Sequence, residues 1–229
     1  MQWLEALWTR EGKGIAKDAP KKTGLALFFE IIGREWWELV KLNLLFLLAS
    51  LPIVTLPAAA FATARICRSM AEDRNVYLLR EFLEAMRDYA LRSLQIGLSG
   101  ALVLALCVYA VVSYGAAARD TLLYAAPLAM SLVATAFVAI MLPYAVMISV
   151  GRRLSIWQTV RLAALATLLR PLPMLAALLF VGGLWLAHIA FYPVSVFLPV
   201  TVNFSLGMFA VAFGARGAVA EVLATVRED

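Results

Sequence analysis

The chain has 229 residues and a net charge of +5, with 63% hydrophobic residues, only 15% charged residues and a mean hydropathy of +0.86. That balance lacks the polar surface a soluble domain of this length needs, and it identifies an integral membrane protein. The surplus of basic residues is accounted for by membrane orientation, so the expected partner is the lipid bilayer and not nucleic acid.

Residues 1–24 read as a basic tail carrying Arg10, Lys13, Lys17, Lys21 and Lys22 among Gly and Pro. Trp3, Leu4, Leu7 and Trp8 share a helical face, which predicts an amphipathic anchor on anionic lipid; docking to a cytoplasmic partner is the competing reading. "MQWLEALWTR" is too charged for a secretory leader, so no cleavage is expected. Residues 25–229 read as a single helical membrane domain. Leu25 to Leu51 can form one long helix, on which Glu30, Arg34, Glu38 and Lys41 fall on one face and can pair. Two readings stay open for that face: a wet surface flanked by Trp36 and Trp37 at the headgroups, or a charged network inside the bundle.

The segment "KLNLLFLLASLPIVTLPAAAFATARICR", Lys41 to Arg68, has no charge between Lys41 and Arg65 but holds Pro52 and Pro57 at its centre. Basic residues prefer the cytoplasmic side. The tail, the run from Arg65 to Arg92, the group Arg152, Arg153, Arg161 and Arg170, and the pair Arg216 and Arg227 all share that side only if the chain turns back at "LPIVTLP". Both termini are then cytoplasmic. Each arm between charge and proline extends about 17 Å, short of a hydrocarbon core of about 30 Å. The hairpin is therefore re-entrant, or its arms run past the charges. Non-helical backbone at membrane depth needs cover, so "PIVTLP" is expected to pack against other helices. Thr55 is expected to satisfy a carbonyl freed by Pro57, and Asn43 to bridge helices.

"YLLREFLEAMRDYALRSLQ", Tyr77 to Gln95, repeats apolar positions at helical spacing and predicts an interfacial amphipathic helix that turns into the next span. Its charged face offers Arg80, Glu84, Arg87 and Asp88. The stretches Ser93 to Ala118, Thr121 to Gly151 and Pro171 to Ala215 contain no Asp, Glu, Lys or Arg. Each exceeds the roughly 18 residues of a spanning signal. Arg119 and Asp120 make a short turn between the first two, and "AFYPVS" around Pro193 divides the last into two helices. "SIWQTVRLAALATLLRPLP", Ser155 to Pro173, resembles the earlier amphipathic stretch when Phe82 is slid onto Ile156 and Arg87 onto Arg161. A faint internal repeat and simple convergence of lead-in helices are both open readings. The expected fold is thus all-α: a polytopic bundle of six membrane helices, the first pair a proline-broken hairpin, with cytoplasmic amphipathic helices.

Catalytic signals are missing. No phosphate loop, metal-binding histidine pair or nucleophile elbow is present, so no enzymatic activity and no cofactor are expected. Cys67 and Cys107 suggest neither a disulfide framework nor a zinc site. His188 is read as an interfacial or packing residue against a proton-relay role, and Asn203 as a helix-bridging group against a substrate ligand. Gly97 with Ala101, and Ala210 with Gly214, are spaced for close helix approach.

The order of these elements, with "LN" at Leu42 and Asn43, "LPIVT" at Leu51 to Thr55, Pro57 with Ala58 and the Phe82-containing helix, resembles the YesL-like family of small bacterial membrane proteins, whose biochemical function is unknown. The specific pattern spans Leu42 to Gln95. Leu56 departs from the Gly common before the second proline, which puts the turn geometry in question. Association with carbohydrate ABC importers is what the resemblance implies, hence an accessory role beside the permease subunits. "EAM" at Glu84 to Met86 lacks the second Ala and downstream Gly of a permease's ATPase-binding loop, so the chain is not expected to be the permease itself. Two other readings compete: an independent small-solute transporter or channel using the hairpin and Asn43, and a membrane regulator of a sugar-responsive sensor kinase. Pairing of two copies stays open.

Overall fold

The computed structural model describes residues 22–226. The amphipathic face predicted around Trp3 to Trp8 lies outside these residues. The described chain is 90% helix without strands. In order the helices are α1 (Gly24–Arg34), α2 (Trp36–Ser50), α3 (Leu56–Ala71), α4 (Leu78–Ser93), α5 (Ser99–Asp120), α6 (Ala125–Gly151), α7 (Ile156–Leu169), α8 (Pro171–Ala190) and α9 (Phe204–Thr225). Four continuous helical stretches are long and apolar enough to cross a membrane: Leu78–Asp120, Leu122–Gly151, Pro171–Ala190 and Val194–Thr225. The hairpin arms α2 and α3, of 15 and 16 residues, extend about 22 and 24 Å, less than a hydrocarbon core of about 30 Å.

Local sequence sets the helix boundaries. Pro57 sits in the first turn of α3 and Pro171 at the start of α8, where a missing N–H costs nothing. Ser155 caps α7 with a full capping box: its side chain accepts from Gln158 N, and the Gln158 side chain accepts from Ser155 N, each at 3.1 Å. Helix α1 is joined to α2 by Glu35 alone, whose backbone leaves helical geometry at φ −95°, ψ 14°. Leu25 to Leu51 is therefore two helices and not one.

The break at Glu35 also redirects the charged face. Glu30 pairs with Lys22 at 3.6 Å, Arg34 with Glu35 at 3.0 Å and with Asp73, and Lys41 with Glu38. The side chains of Glu30, Arg34, Glu38 and Lys41 are 36–55% exposed, which decides for the wet face. Its hydrogen bond to Glu35 foremost, with Asp73 adding to it, raises the Arg34 pKa above its ordinary value.

Helix α3 is the centre of the bundle, packed against α2, α4, α6 and α9. Ala58, Ala59, Ala62, Ala64, Cys67 and Ala71 are all buried, and small side chains let neighbouring helices approach closely without a hydrophobic drive from lipid. Phe28 fastens α1 to this core, its ring 5.5 Å from Phe180, 5.5 Å from Phe209 and 5.2 Å from Phe213. Each such pair contributes about 0.5–1.5 kcal/mol beyond area burial. By contrast α5 has no buried residue at all, and it leans on α6.

Two expectations about connections fail. The stretch from Tyr77 does not turn into the next span: α4 continues through a π-helical segment, Leu94–Leu98, straight into α5, as one helix of 43 residues. The hairpin turn is also not covered by other helices, since Pro52, Ile53 and Val54 are exposed. Its backbone is satisfied internally instead. The Thr55 hydroxyl donates to Ala49 O and, at 2.6 Å, to Pro52 O, while Thr55 N donates to Pro52 O at 2.9 Å. The carbonyl left by Pro57, that of Ile53, accepts from Leu56 N, so Thr55 serves other carbonyls than the one expected.

Candidate functional site

Arg65, Arg68, Arg92 and Arg153 gather where the ends of α3, α4, α6 and α7 meet, and they tie those ends together. Arg68 donates through Nη1 to Met147 O at 2.9 Å and through Nε to Glu72 at 2.7 Å. The Tyr89 hydroxyl donates to Val150 O at 3.1 Å and accepts from Arg65 Nη1 at 2.9 Å. Tyr89 thus covers a carbonyl in the last turn of α6 and Arg68 one just before it, where a cation also opposes the negative end of the helix dipole. A Cβ at Gly151 would sit 1.4 Å from Arg68 Nη1, so a larger residue there must displace the guanidinium from Met147 O. Arg92 reaches the Thr159 hydroxyl at 2.7 Å, joining α4 to α7, and Arg153 pairs with Asp88 at 3.4 Å.

Between the end of α3 and the outer flank of α4 this framework leaves a polar recess of about 400 Å³. Arg65, Ser69, Arg74 and Asn75 line one side; Tyr77, Arg80, Glu81, Glu84 and Asp88 line the other. Of the residues singled out on the sequence, Arg80, Glu84 and Asp88 meet in this recess, and Arg87 stands outside it on the exposed surface. Arg80 pairs with Glu84 at 2.8 Å along the helix, and Glu81 accepts from Tyr77 N at 2.9 Å. The charges are mixed and exposed, so any one pair contributes at most about 1 kcal/mol and exchanges readily for an external partner.

Arg65, Ser69, Arg74, Asn75 and Tyr77 were missed as site residues. In the sequence Arg65 and Arg74 register only as orientation signals; nothing local says that α3 and α4 pack antiparallel and bring them opposite Arg80.

Asn43, Pro52, Thr55 and Pro57 lie elsewhere. Asn43 is completely buried at the junction of α2 with a π-helical turn, Pro199–Asn203, that precedes α9. Its Nδ2 donates to Pro199 O at 3.0 Å and Val200 O at 2.8 Å, and its Oδ1 accepts from Phe204 N at 3.0 Å and Ser205 N at 3.1 Å. Those contacts use the full hydrogen-bonding capacity of a carboxamide and leave none for a solute. Asn203, expected to bridge helices, instead has neither side-chain nitrogen nor oxygen paired among the described residues, although it is 2% exposed. The bridging role falls to Asn43 because its side chain meets the opened backbone end-on.

At the far end of α8, Ser195 Oγ donates to His188 O at 2.7 Å, and His188 Nδ1 lies 3.1 Å from the same hydroxyl. The ring also meets Trp185 and Tyr192 edge-on, with centroids 6.0 and 6.2 Å away. These contacts close the turn before α9. Cys67 and Cys107 are free thiols, and Cys67 Sγ is 3.6 Å from Ser205 O.

Residues 39–111 match the family described as "Protein of unknown function, DUF624". This is the family to which the YesL-like resemblance points. The match runs from α2 through the hairpin and α4 into α5, so it takes in Asn43 and both walls of the recess. No curated protein and no solved structure matches the chain.

Proposed function

We propose that this chain is a non-enzymatic accessory subunit of a bacterial membrane transport complex, one that binds a polypeptide partner in the recess between α3 and α4. The observation that carries the reading is the recess itself. It sets Arg65 and Arg74 on one wall against Arg80, Glu81, Glu84 and Asp88 on the other, a balanced set of charges that suits the mixed polar side chains of a docking helix or loop better than a nucleotide or a single anion. The positive-inside bias favours a cytoplasmic position for this face, and the YesL-like resemblance implies the permease of a carbohydrate ABC importer as the partner class.

The test is purification of the tagged protein from its native host in mild detergent, followed by identification of co-eluting chains. Permease subunits recovered in fixed ratio are expected. Glu84→Arg, inside the recess, should lower recovery about tenfold, since charge reversal replaces an attraction with a repulsion, about 1.4 kcal/mol in sum. Arg87→Glu, outside it, should weaken the complex less, with unchanged protein level in the membrane. Absence of any transporter subunit, or full recovery with Glu84→Arg, overturns the proposal. Solute flux from the protein alone in liposomes would favour the independent transporter instead.

A further inference from the structure

A groove of about 350 Å³ is framed by α1, α8 and α9, away from the recess beside α4. Its walls are apolar: Leu25 and Phe28 from α1, Ala176 and Phe180 from α8, and Phe213 from α9. Both α8 and the stretch containing α9 are long and apolar enough to cross a membrane, so the groove is part of a lipid-contacting flank.

Its polar features are cationic. Arg170 and Arg216 both line it. Arg170 gives Nε to Glu221 at 2.8 Å and lays its guanidinium over Gly217, where an added Cβ would lie 3.4 Å from Nη1. Arg216 stacks on the Phe213 ring, 3.8 Å from the centroid, and forms no ion pair among the described residues. Among the described residues Glu221 therefore neutralises one of the two arginines, and none pairs with the other, which stands beside an apolar slot. Gly24, the first residue of α1, lines the same groove; Thr23 provides no side-chain cap, and the first turn of α1 has no acidic residue. Backbone N–H groups at such an end favour an anion.

We propose that this groove binds an anionic phospholipid, one acyl chain lying along Phe28, Ala176 and Phe180 and the phosphate held by Arg216, Arg170 and the N-terminus of α1. Charge complementarity selects this occupant. A zwitterionic lipid would bring a cationic group beside Arg170 and Arg216 along with its phosphate, and an apolar helix would bring no group to meet the Arg216 charge. The site is independent of partner binding beside α4.

The full-length protein, titrated with phosphatidylglycerol or phosphatidylcholine of identical chains and read by native mass spectrometry, tests it. Phosphatidylglycerol should be held several-fold more tightly. Arg216→Gln should erase about fivefold of that preference, the effect of one basic residue at an anionic headgroup, and Arg216→Lys should keep it. Ala176→Trp, at an exposed position on the groove wall, should reduce retention of both lipids. A photoreactive benzoylphenylalanine in place of Ala176 should yield a lipid adduct. Equal retention of the two lipids, an unchanged preference in Arg216→Gln, or an adduct with residues 1–21 or another polypeptide would each overturn the assignment.

Discussion

Two of the long apolar stretches carry a π-helical turn, and the two turns are repaired in opposite ways. At Leu94–Leu98, between α4 and α5, the repair is local: Ser93 Oγ donates to Ala90 O at 2.8 Å, and Ser99 Oγ donates to Gln95 O. At Pro199–Asn203, ahead of α9, it is remote, since Asn43 crosses from α2 and pairs with four backbone groups. A local repair leaves its helix free of its neighbours; a remote one welds two helices together. The surrounding packing follows this difference. Helix α5 has no buried residue, whereas α9 buries Phe209, Ala210, Ala212, Ala215 and Val219 against the rest of the bundle.

Substitutions can break this contrast, and the largest effect is expected at Asn43. Asn43→Leu would leave two carbonyls and two N–H groups without partners in an apolar interior, which should cost about 3 kcal/mol and sharply lower the unfolding midpoint in detergent. Retention of the wild-type midpoint would mean that the π-helical turn closes on itself.

The seams beside the two turns should differ in the same sense. At Gly214 an added Cβ would sit 2.8 Å from Pro173 O, so Gly214→Ala must push the α8 backbone aside, at about 1–3 kcal/mol. At Gly100 the obstruction is Leu142 Cδ1 at 2.2 Å, the end of a flexible side chain that can swing away, and Gly100→Ala should cost less than about 1 kcal/mol. Equal losses in thermal unfolding of the two variants would dissolve the distinction. Smallest of all, Ser99→Ala should shift the midpoint by about 0.5 kcal/mol or less, because a back-bonded serine adds little to a helix.

Much of the bundle is legible residue by residue. Hydropathy runs disclose the long helices, Pro57 and Pro171 disclose helix starts, and the Pro52 to Pro57 interval discloses the hairpin turn. What stayed illegible depended on backbone geometry at particular turns or on partners distant in the chain. Glu35 looks no different from its helical neighbours, yet it ends α1. "PIVTLP" reads as backbone needing cover, because the bonds from Thr55 back to Ala49 and Pro52 depend on the turn's own geometry. Gly97 and Ala101 have the spacing for close approach, but Gly100 is the position that α6 overlies. Phe82 and Ile156 align in a possible repeat, yet Phe82 is 1% exposed and Ile156 42%, so the two lead-in helices do not use matching faces.

Composition and periodicity alone determined that the chain is a helical membrane protein, because lipid admits few ways to pair every backbone group and long uncharged runs satisfy that demand within themselves. They also separated the basic segments from the apolar ones. Only the tertiary structure decided which arginines share a site: Arg65 and Arg74 with Arg80 around the recess, Arg170 with Arg216 at the apolar groove. It likewise decided that Asn43, and not Asn203, carries the polar joint. The reason is physical. A helix side chain declares its own face by its position in the chain, but its partner is chosen by the packing of other helices, and that information resides in the fit between surfaces far apart in sequence.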